Sequence, residues 1–188
     1  MKTGKDVMIY PLAKIIGEES STIGDSVIID DFVLLSAGRR CVLGSFVHIA
    51  AFTSIVGGGE FIMEDFCGLS GGIRVYTGNE DYSGGGLTNP AVPPPYRKPI
   101  RSFVCLQKHA IVGANSVILP GVTIGTGAVV GATSLVKSDC DPWTIYVGSP
   151  ARPIGKRPSE KIQEMERKLR DELYDREGRY IPKAERDR

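Results

Sequence analysis

The chain lacks an excess of charge of either sign. Its 188 residues include 23 Lys and Arg against 22 Asp and Glu, so its formal net charge is +1 with neutral histidines. A balance this even gives no electrostatic case for binding nucleic acid or an anionic membrane, because both interactions depend on an excess of basic residues. We therefore expect no nucleic-acid partner.

Long apolar runs are also missing. No stretch approaches the roughly 18 to 20 apolar residues of a membrane span, and the N-terminal MKTGKDVMIY lacks the apolar core of a signal peptide. Cys105 and Cys140 show no CxxC spacing, while Cys41 and Cys67 fall where small buried side chains are expected. These features predict no membrane span and a cytoplasmic location.

What the chain does have is a six-residue repeat in its C-terminal half. Aliphatic residues stand six apart at Val112, Ile118, Ile124, Val130 and Val136, and a small residue or valine stands two places before each, at Ala110, Ser116, Val122, Ala128 and Ser134. A helix would scatter positions six apart around its surface, and a long strand would need strict alternation. The repeat therefore predicts a parallel β-helix in which three hexads close one coil.

The same repeat extends toward the N-terminus with two irregular steps. It runs through Ile23, Ile29, Ala37, Leu43, Ile49, Ile55, Met63, Leu69 and Val75, with eight residues in place of six from Ile29 to Ala37 and from Ile55 to Met63. We place the extra residues in corners, where Gly57 to Gly59 supply the flexible backbone that a bulge needs. The repeat then stops at Tyr76 and resumes near Leu106, which predicts one long loop over about 76–103. Loops of that length are usually functional.

A helical pattern follows the repeats. Ser159 is a candidate N-cap, Gly178 is a candidate stop, and an apolar stripe comprises Ile162, Met165, Leu169 and Leu173. We expect this stripe to cover the open end of the solenoid or a neighbouring subunit. The predicted organisation is a β-helix domain over 1–157, with the inserted loop, and a C-terminal helix and tail over 158–188.

Two segments carry a resemblance to a known family. The run IVGANSVILPGVTIGTGAVVGATSLV, followed by WTIYVGSPARPIGKR, resembles the C-terminal half of the hexapeptide-repeat acyltransferases, which include galactoside, maltose and xenobiotic O-acetyltransferases. The stretch RVYTGNEDYSGGGLTNPAVPPPYR further resembles sugar acetyltransferases encoded with O-antigen or capsule pathways. The resemblance covers about residues 22–157. It implies an all-β, left-handed parallel β-helix, a homotrimer, acetyl-CoA as the donor and active sites between subunits.

The resemblance also implies where acetyl-CoA binds. Small residues that let the pantetheine arm approach the last coils correspond to Ala114 and Ala132. The basic residues that contact the nucleotide phosphates correspond to Lys137 and Arg152, with Lys156 nearby, and cationic donors suit phosphate oxygens.

The catalytic base is where this chain departs from the family pattern. The family places a histidine at the start of the long loop, and the matching residue here is Asn79. Only two histidines exist: His109 falls in a corner and is expected to be structural, whereas His48 precedes the inward Ile49 and should point outward. We therefore take His48 as the candidate general base, which would assist attack by a sugar hydroxyl.

Polar and aromatic residues of the loop are the candidates for acceptor chemistry. Asn79 could donate a hydrogen bond to the thioester oxyanion or to a sugar hydroxyl. For an amine acceptor, Asp81 or Glu80 could receive the surplus proton. Glu80, Tyr82 and Tyr96 are candidates for binding the acceptor.

The predicted function is acetyl-CoA-dependent acetylation of a sugar in surface-polysaccharide biosynthesis. The acceptor is either a nucleotide-linked amino sugar or a sugar hydroxyl, and the sequence leaves N- and O-acetylation open. Alternatives are another small acceptor such as an antibiotic, or a structural trimer without catalysis. A zinc solenoid related to γ-type carbonic anhydrases needs three histidine ligands, which His48 and His109 do not provide, so no metal is expected.

Overall fold

Short strands follow one another at the predicted six-residue interval. The computed structural model describes residues 1–36 and 38–186, and in these the chain winds as a parallel β-helix with three strands to each coil. The successive coils contain β1 (Lys2–Thr3), β2 (Met8–Ile9) and β3 (Lys14–Ile16); β4 (Ser21–Ile23), β5 (Ile28–Ile29) and β6 (Leu34–Ser36); β7 (Arg40–Leu43), β8 (His48–Ile49) and β9 (Ser54–Val56); and β10 (Glu60–Met63), β11 (Gly68–Leu69) and β12 (Arg74–Tyr76).

After the fourth coil the chain leaves the solenoid and later returns to it. The excursion contains β13 (Gly78–Asn79) and β14 (Ile100–Arg101). The remaining coils contain β15 (Phe103–Leu106), β16 (Ile111–Val112) and β17 (Val117–Ile118), then β18 (Val122–Ile124), β19 (Val129–Val130) and β20 (Leu135–Val136), and finally β21 (Thr144–Val147) and β22 (Arg152–Lys156). The helices α1 (Glu160–Leu173) and α2 (Lys183–Arg186) follow.

Equivalent strands of successive coils form the three faces of the prism. The first face contains β1, β4, β7, β10, β15 and β18, the third contains β3, β6, β9, β12, β17 and β20, and the second contains the remaining solenoid strands, ending with β22. The predicted inward residues stack in register, as in Met63 opposite Leu106, and are almost fully buried. The predicted parallel β-helix is therefore confirmed.

Two details of the predicted repeat are wrong. Leu35 lies on the third face, is 1% exposed and is in register with Ile55, so the repeat passes through Leu35 and its step of eight runs from Leu35 to Leu43. Ala37 itself lies outside the described residues. The repeat also extends one coil further toward the N-terminus than Ile23, because β1 to β3 pair with β4 to β6.

The first corner, which joins the first and second faces, carries a ladder of aromatic rings. Phe46 stacks on Phe66 with ring centroids 4.9 Å apart, Phe66 stacks on His109 at 5.0 Å, and Trp143 lies 6.1 Å beyond His109. All four have left-handed backbone, with φ between 52° and 63°, which is unfavourable for bulky residues. Ring stacking along the ladder offsets part of that cost.

The third corner, which joins the third face to the next coil, takes up the irregular lengths. Gly57 and Gly58 have φ of 122° and 72°, values that favour glycine, so the predicted bulge lies where the sequence places it. One coil later, residues 77–102 leave the same corner as the long loop. The antiparallel pair β13 and β14 forms the base of this loop, and a 3₁₀ turn over Pro94–Tyr96 lies near its far end.

The C-terminal segment runs along the first corner instead of covering an end of the solenoid. Residues 157–186, which we name the brace, contact successive coils in reverse order. Glu166 meets His109, Arg170 meets Asp65, and the hydroxyl of Tyr180 donates to Asp6 in the first coil. The predicted covering of the open end is wrong because these contacts hold the helix against the side of the solenoid.

The predicted ends of the helix are also corrected. Ser159 stands at the N-cap position, but its side chain makes no capping hydrogen bond. The helix stops at Leu173, well before Gly178, because Tyr174 adopts extended backbone and pairs with Tyr180. Within the described ranges, no helix is long and apolar enough to cross a membrane.

Candidate functional site

A cleft of about 600 Å³ lies between the loop and the third corner. Asn79, Glu80 and Tyr82 of the loop line it, so three of the predicted site residues come together here. Its other walls are Val56, Gly57, Tyr76, Gly78, Pro90, Arg97, Arg101, Leu119 and Pro120. The volume is in the range of small-molecule sites.

An ion pair joins the two arms of the loop beside the cleft. Arg97 donates from both Nε and Nη2 to the carboxylate of Glu80, and the two side chains are only 12% and 15% exposed. The hydrogen bonds from Arg97 lower the pKa of the Glu80 carboxyl. Glu80 is therefore ionised near neutral pH and already neutralised by Arg97, which makes it a weak proton acceptor.

Asp81 does not line the cleft, and it organises its own loop. The amide and hydroxyl of Ser83 donate to Oδ1, and the amide of Gly85 donates to Oδ2 at 2.7 Å. These hydrogen bonds lower the pKa of Asp81. Both carboxylate oxygens are thus engaged in holding the turn that follows Asn79 and Glu80.

The two tyrosines predicted to bind the acceptor differ in position. Tyr82 lines the cleft but is 80% exposed, and Tyr96 is 65% exposed and does not line it. The backbone of Tyr96 instead accepts a hydrogen bond from Leu87 and so holds the far end of the loop together. Of these two tyrosines, Tyr82 is therefore the one that can touch a molecule in the cleft of a single chain.

His48 lies apart from the cleft. It points outward from the second face, as predicted, and its Nε2 is 3.1 Å from Oδ2 of Asp30. It borders a hollow of about 360 Å³ that exists because Gly68, its register partner, has no side chain. A single chain therefore does not bring His48 together with Asn79 and Glu80.

Three of the residues predicted to bind acetyl-CoA meet at the second corner, between the second and third faces. The carbonyl of Ala114 accepts a hydrogen bond from Thr133, which places Ala114 directly above Ala132. Arg152 pairs with Val147, whose side chain contacts Gly131, next to Ala132. Ala114, Ala132 and Arg152 therefore share one exposed edge.

The other two basic residues lie elsewhere. Lys156 is at the far end of β22, where its ammonium donates to Thr144 at 2.7 Å. Lys137 is exposed just after β20, on the side of the third corner. A single extended ligand would have to cross the third face to reach both Lys137 and Arg152.

Sequence reasoning missed Arg97 and Arg101. Both follow the proline-rich part of the loop, where nothing in the local pattern distinguishes a buried arginine from a solvated one.

No group of three or more His, Cys, Asp or Glu residues suited to a metal ion occurs in the described part of the chain. Burial raises the pKa of Cys41 to about 12, so that thiol is protonated at neutral pH, and Cys67 has a similarly raised pKa of about 12.

Comparison with known proteins agrees with this architecture. The family described as bacterial transferase hexapeptide (six repeats) matches residues 106–138. The dTDP-4-amino-4,6-dideoxy-D-glucose acyltransferase of Escherichia coli is 40% identical over 164 residues, which cover 87% of this chain and 85% of that protein. A probable macrolide acetyltransferase of Lysinibacillus sphaericus is 33% identical over 64% of this chain and 66% of its own length.

A solved structure is similar along almost the whole chain. AntD, an N-acyltransferase from Bacillus cereus in complex with dTDP and 3-hydroxybutyryl-CoA, is 41% identical with a TM-score of 0.85, covering 91% of this chain and 90% of AntD. The chain therefore belongs to the hexapeptide-repeat acyltransferase family. The predicted family and enzyme class are confirmed.

Proposed function

We propose that the protein transfers an acyl group from acyl-CoA to the amine of a nucleotide-linked amino sugar. The observation that carries this proposal is the lining of the cleft: Asn79, Glu80 and Arg97 contribute, and no histidine does among the described residues. A hydroxyl acceptor needs a base to remove its proton during attack. A neutral amine attacks without one, so the cleft suits nitrogen better than oxygen.

The chemistry then needs few catalytic groups. The amine nitrogen attacks the thioester carbonyl, the N–C bond forms, the C–S bond breaks, and CoA leaves with its sulfur taking up a proton. The surplus proton on nitrogen passes to water. In the proposed assembly, the second corner of a neighbouring subunit brings the thioester to the cleft, where Asn79 at the wall donates to the developing oxyanion. The relatives, an acyltransferase named for a dTDP-4-amino sugar and an N-acyltransferase bound to dTDP and an acyl-CoA, support both substrates.

We assign acyl-CoA to the second corner. Ala114 and Ala132 leave the backbone edge open, and Arg152 lies beside them with no acidic partner among the residues described, so its guanidinium is available for a phosphate. Lys137 and Lys156 remain candidates for further phosphate contacts. The acyl group is acetyl in the sequence-based prediction, and AntD with 3-hydroxybutyryl-CoA makes a longer acyl group the first alternative to assay.

The active species in this proposal is a homotrimer with a site between subunits. Support comes from the loop, whose outer residues Tyr82, Leu87 and Tyr96 are 80%, 60% and 65% exposed. Apolar surface concentrated on one projecting segment is typical of a contact surface. Light scattering should report about three chains per particle, and an active monomer would contradict the proposal. The cytoplasmic location and the role in surface-polysaccharide synthesis stay predictions.

An acceptor panel tests the proposed function. Thiol release from acetyl-CoA and 3-hydroxybutyryl-CoA is measured with dTDP-4-amino-4,6-dideoxyglucose, with its 4-hydroxy counterpart, and with a macrolide. We expect turnover with the amino sugar alone. Equal rates with the 4-hydroxy sugar would contradict the amine assignment, and turnover with only the macrolide would assign the protein to antibiotic modification.

Acylation of a hydroxyl is the second candidate, favoured by the pairing of His48 with Asp30. In that case a neighbouring subunit must bring its loop to His48, and His48→Ala should lower kcat by about 10²–10⁴. For an amine acceptor we expect less than about a tenfold loss, because no base is required. The Asp30→Asn variant is measured alongside His48→Ala, because it keeps the imidazole of His48 and removes the carboxylate charge beside it.

A further inference from the structure

We infer that Arg101 binds the diphosphate of the acceptor nucleotide in the cleft. This inference rests on the proposed function and adds to it the residue that recognises the nucleotide. Arg101 lies in β14 at the base of the loop, and its side chain lines the cleft. In residues 1–36 and 38–186, its guanidinium has no ion pair and no hydrogen-bond partner, although it lies near the charged Glu80.

The contrast with Arg97 shows why Arg101 is available. Both arginines line the same cleft, but the carboxylate of Glu80 is occupied by Arg97 through two hydrogen bonds. One negative charge thus faces two positive charges. The cleft keeps a surplus positive charge at Arg101, and a guanidinium matches the paired oxygens of a phosphate.

The backbone beneath Arg101 fixes where its side chain lies. A Cβ built on Gly58 would stand 3.0 Å from Nε of Arg101, and one built on Gly78 would stand 3.1 Å from its Cδ. The side chain of Arg101 therefore lies against Gly58 and Gly78, of which Gly78 lines the cleft. A larger residue at Gly58 would press on that side chain.

The rest of the wall suits the nucleoside attached to that diphosphate. Tyr76, Leu119 and Pro120 present apolar surface on the solenoid side, and Tyr82 adds an aromatic ring on the loop side. A base stacks on such surface, while its diphosphate lies against Arg101. CoA also contains a diphosphate, but the edge assigned to it lies at the second corner, across the third face from this cleft.

Binding measurements separate these ligands without requiring turnover. Calorimetry is performed with dTDP, thymidine and CoA on wild type, Arg101→Met and Arg101→Lys, with Arg39→Met as the matched control. Arg39 is an exposed arginine of the same corner that lies outside the cleft. We expect Arg101→Met to weaken dTDP binding by about 10- to 100-fold, the range for a charge-assisted hydrogen bond. Arg101→Lys should lose less, and thymidine and CoA should bind each variant like wild type.

Three results would overturn the inference. The first is that the wild-type protein does not bind dTDP, and the second is that Arg101→Met binds dTDP as tightly as wild type. The third is that Arg101→Met loses as much affinity for CoA as for dTDP, which would assign the diphosphate to the donor. Failure of the proposed function is a different result, because dTDP would then bind through Arg101 while no amino sugar is acylated. Circular dichroism of both variants checks that the overall fold is retained.

Discussion

The first and third corners of the same solenoid carry opposite kinds of appendage. At the first corner, the brace contacts successive coils through ion pairs, hydrogen bonds and aromatic rings, from Arg157 against Gly127 and His109 to Tyr180 against Asp6. At the third corner, the loop is held mainly by bonds within itself, such as Asp81 with Ser83 and Glu80 with Arg97. One appendage fills its corner, whereas the other leaves a cleft.

The difference indicates where stability and function lie. A solenoid is stabilised by contacts between neighbouring coils, so its ends tend to unfold independently. The brace ties the first coil to the sixth, through Tyr180 and Arg157, and should make unfolding more cooperative. The loop is bonded to the preceding coil at its base, through Thr77 and Ser102, and beyond that base it can open locally without unfolding the prism. We therefore expect brace variants to change stability and loop variants to change activity.

The largest effect is expected from Glu166→Ala. Its carboxylate, 12% exposed, meets Lys108, His109 and Arg170, so the substitution leaves partly buried cations without their partner. We expect a loss of about 2 to 4 kcal/mol in the free energy of unfolding, measured by urea denaturation. Glu164→Ala, on the exposed side of α1, should cost less than about 1 kcal/mol. Equal losses would mean that the brace contributes no more than any surface ion pair.

Lowering the pH should reproduce, in the wild-type protein, the loss of unfolding free energy expected for Glu166→Ala. Burial alone would raise the pKa of Glu166, but hydrogen bonds from Lys108, Arg170 and His109 outweigh it and hold the pKa at about 2, below its ordinary value of 4.5. A depressed carboxyl pKa stabilises the fold above the unfolded value, and that stability is lost as pH falls from about 4.5 toward 2. The stability difference between wild type and Glu166→Ala should shrink across that window. A constant difference would contradict this origin.

A smaller change, in activity instead of stability, is expected from Arg97→Met. The substitution frees the two arms of the loop from each other and shifts Asn79 and Glu80, which line the cleft. We expect kcat/KM for the acceptor to fall by about 10- to 100-fold, because small misplacements at a site are costly. The free energy of unfolding should change by less than about 1 kcal/mol, as in the control Arg39→Met, because Arg101 still lies near Glu80 and the loop can open locally to solvate that carboxylate. A stability loss as large as that of Glu166→Ala would remove the distinction between the two corners.

The smallest effect is expected from Ser159→Ala at the start of α1. Substituting a capping serine usually costs about 0.5–2 kcal/mol, but Ser159 makes no side-chain capping bond. We expect a change below about 0.3 kcal/mol and an unaltered helical signal by circular dichroism. A loss near 1 kcal/mol would show that the brace depends on its cap as well as on its ion pairs.

Regions held by contacts between residues close in sequence could be predicted from the sequence, and regions held by distant residues could not. The six-residue spacing of Val112, Ile118 and Ile124 predicts the β-helix because each hexad repeats one local geometry. The first coil carries the same signal at Ile9 and Ile15 and could have been found by continuing the twenty-residue interval of the N-terminal coils.

The brace and the cleft could not have been predicted in this way. The pair formed by Arg170 and Asp65 joins residues 105 apart, and Tyr180 meets Asp6 at a separation of 174. No local pattern specifies such partners. The ionic tie between Glu80 and Arg97 depends on how a proline-rich loop folds back on itself, which the spacing of hexads does not determine.

The third corner also determines how the protein accommodates changes of length. The step from one inward residue to the next across this corner is six residues from Ile118 to Ile124, eight from Ile55 to Met63, and thirty-one from Val75 to Leu106. The strands on both sides keep their register, with Met63 opposite Leu106 and Val75 opposite Ile118. Loops of different length and specificity can therefore be inserted or exchanged at this corner without disturbing the coils. The substrate range of such a scaffold can then evolve separately from its folding.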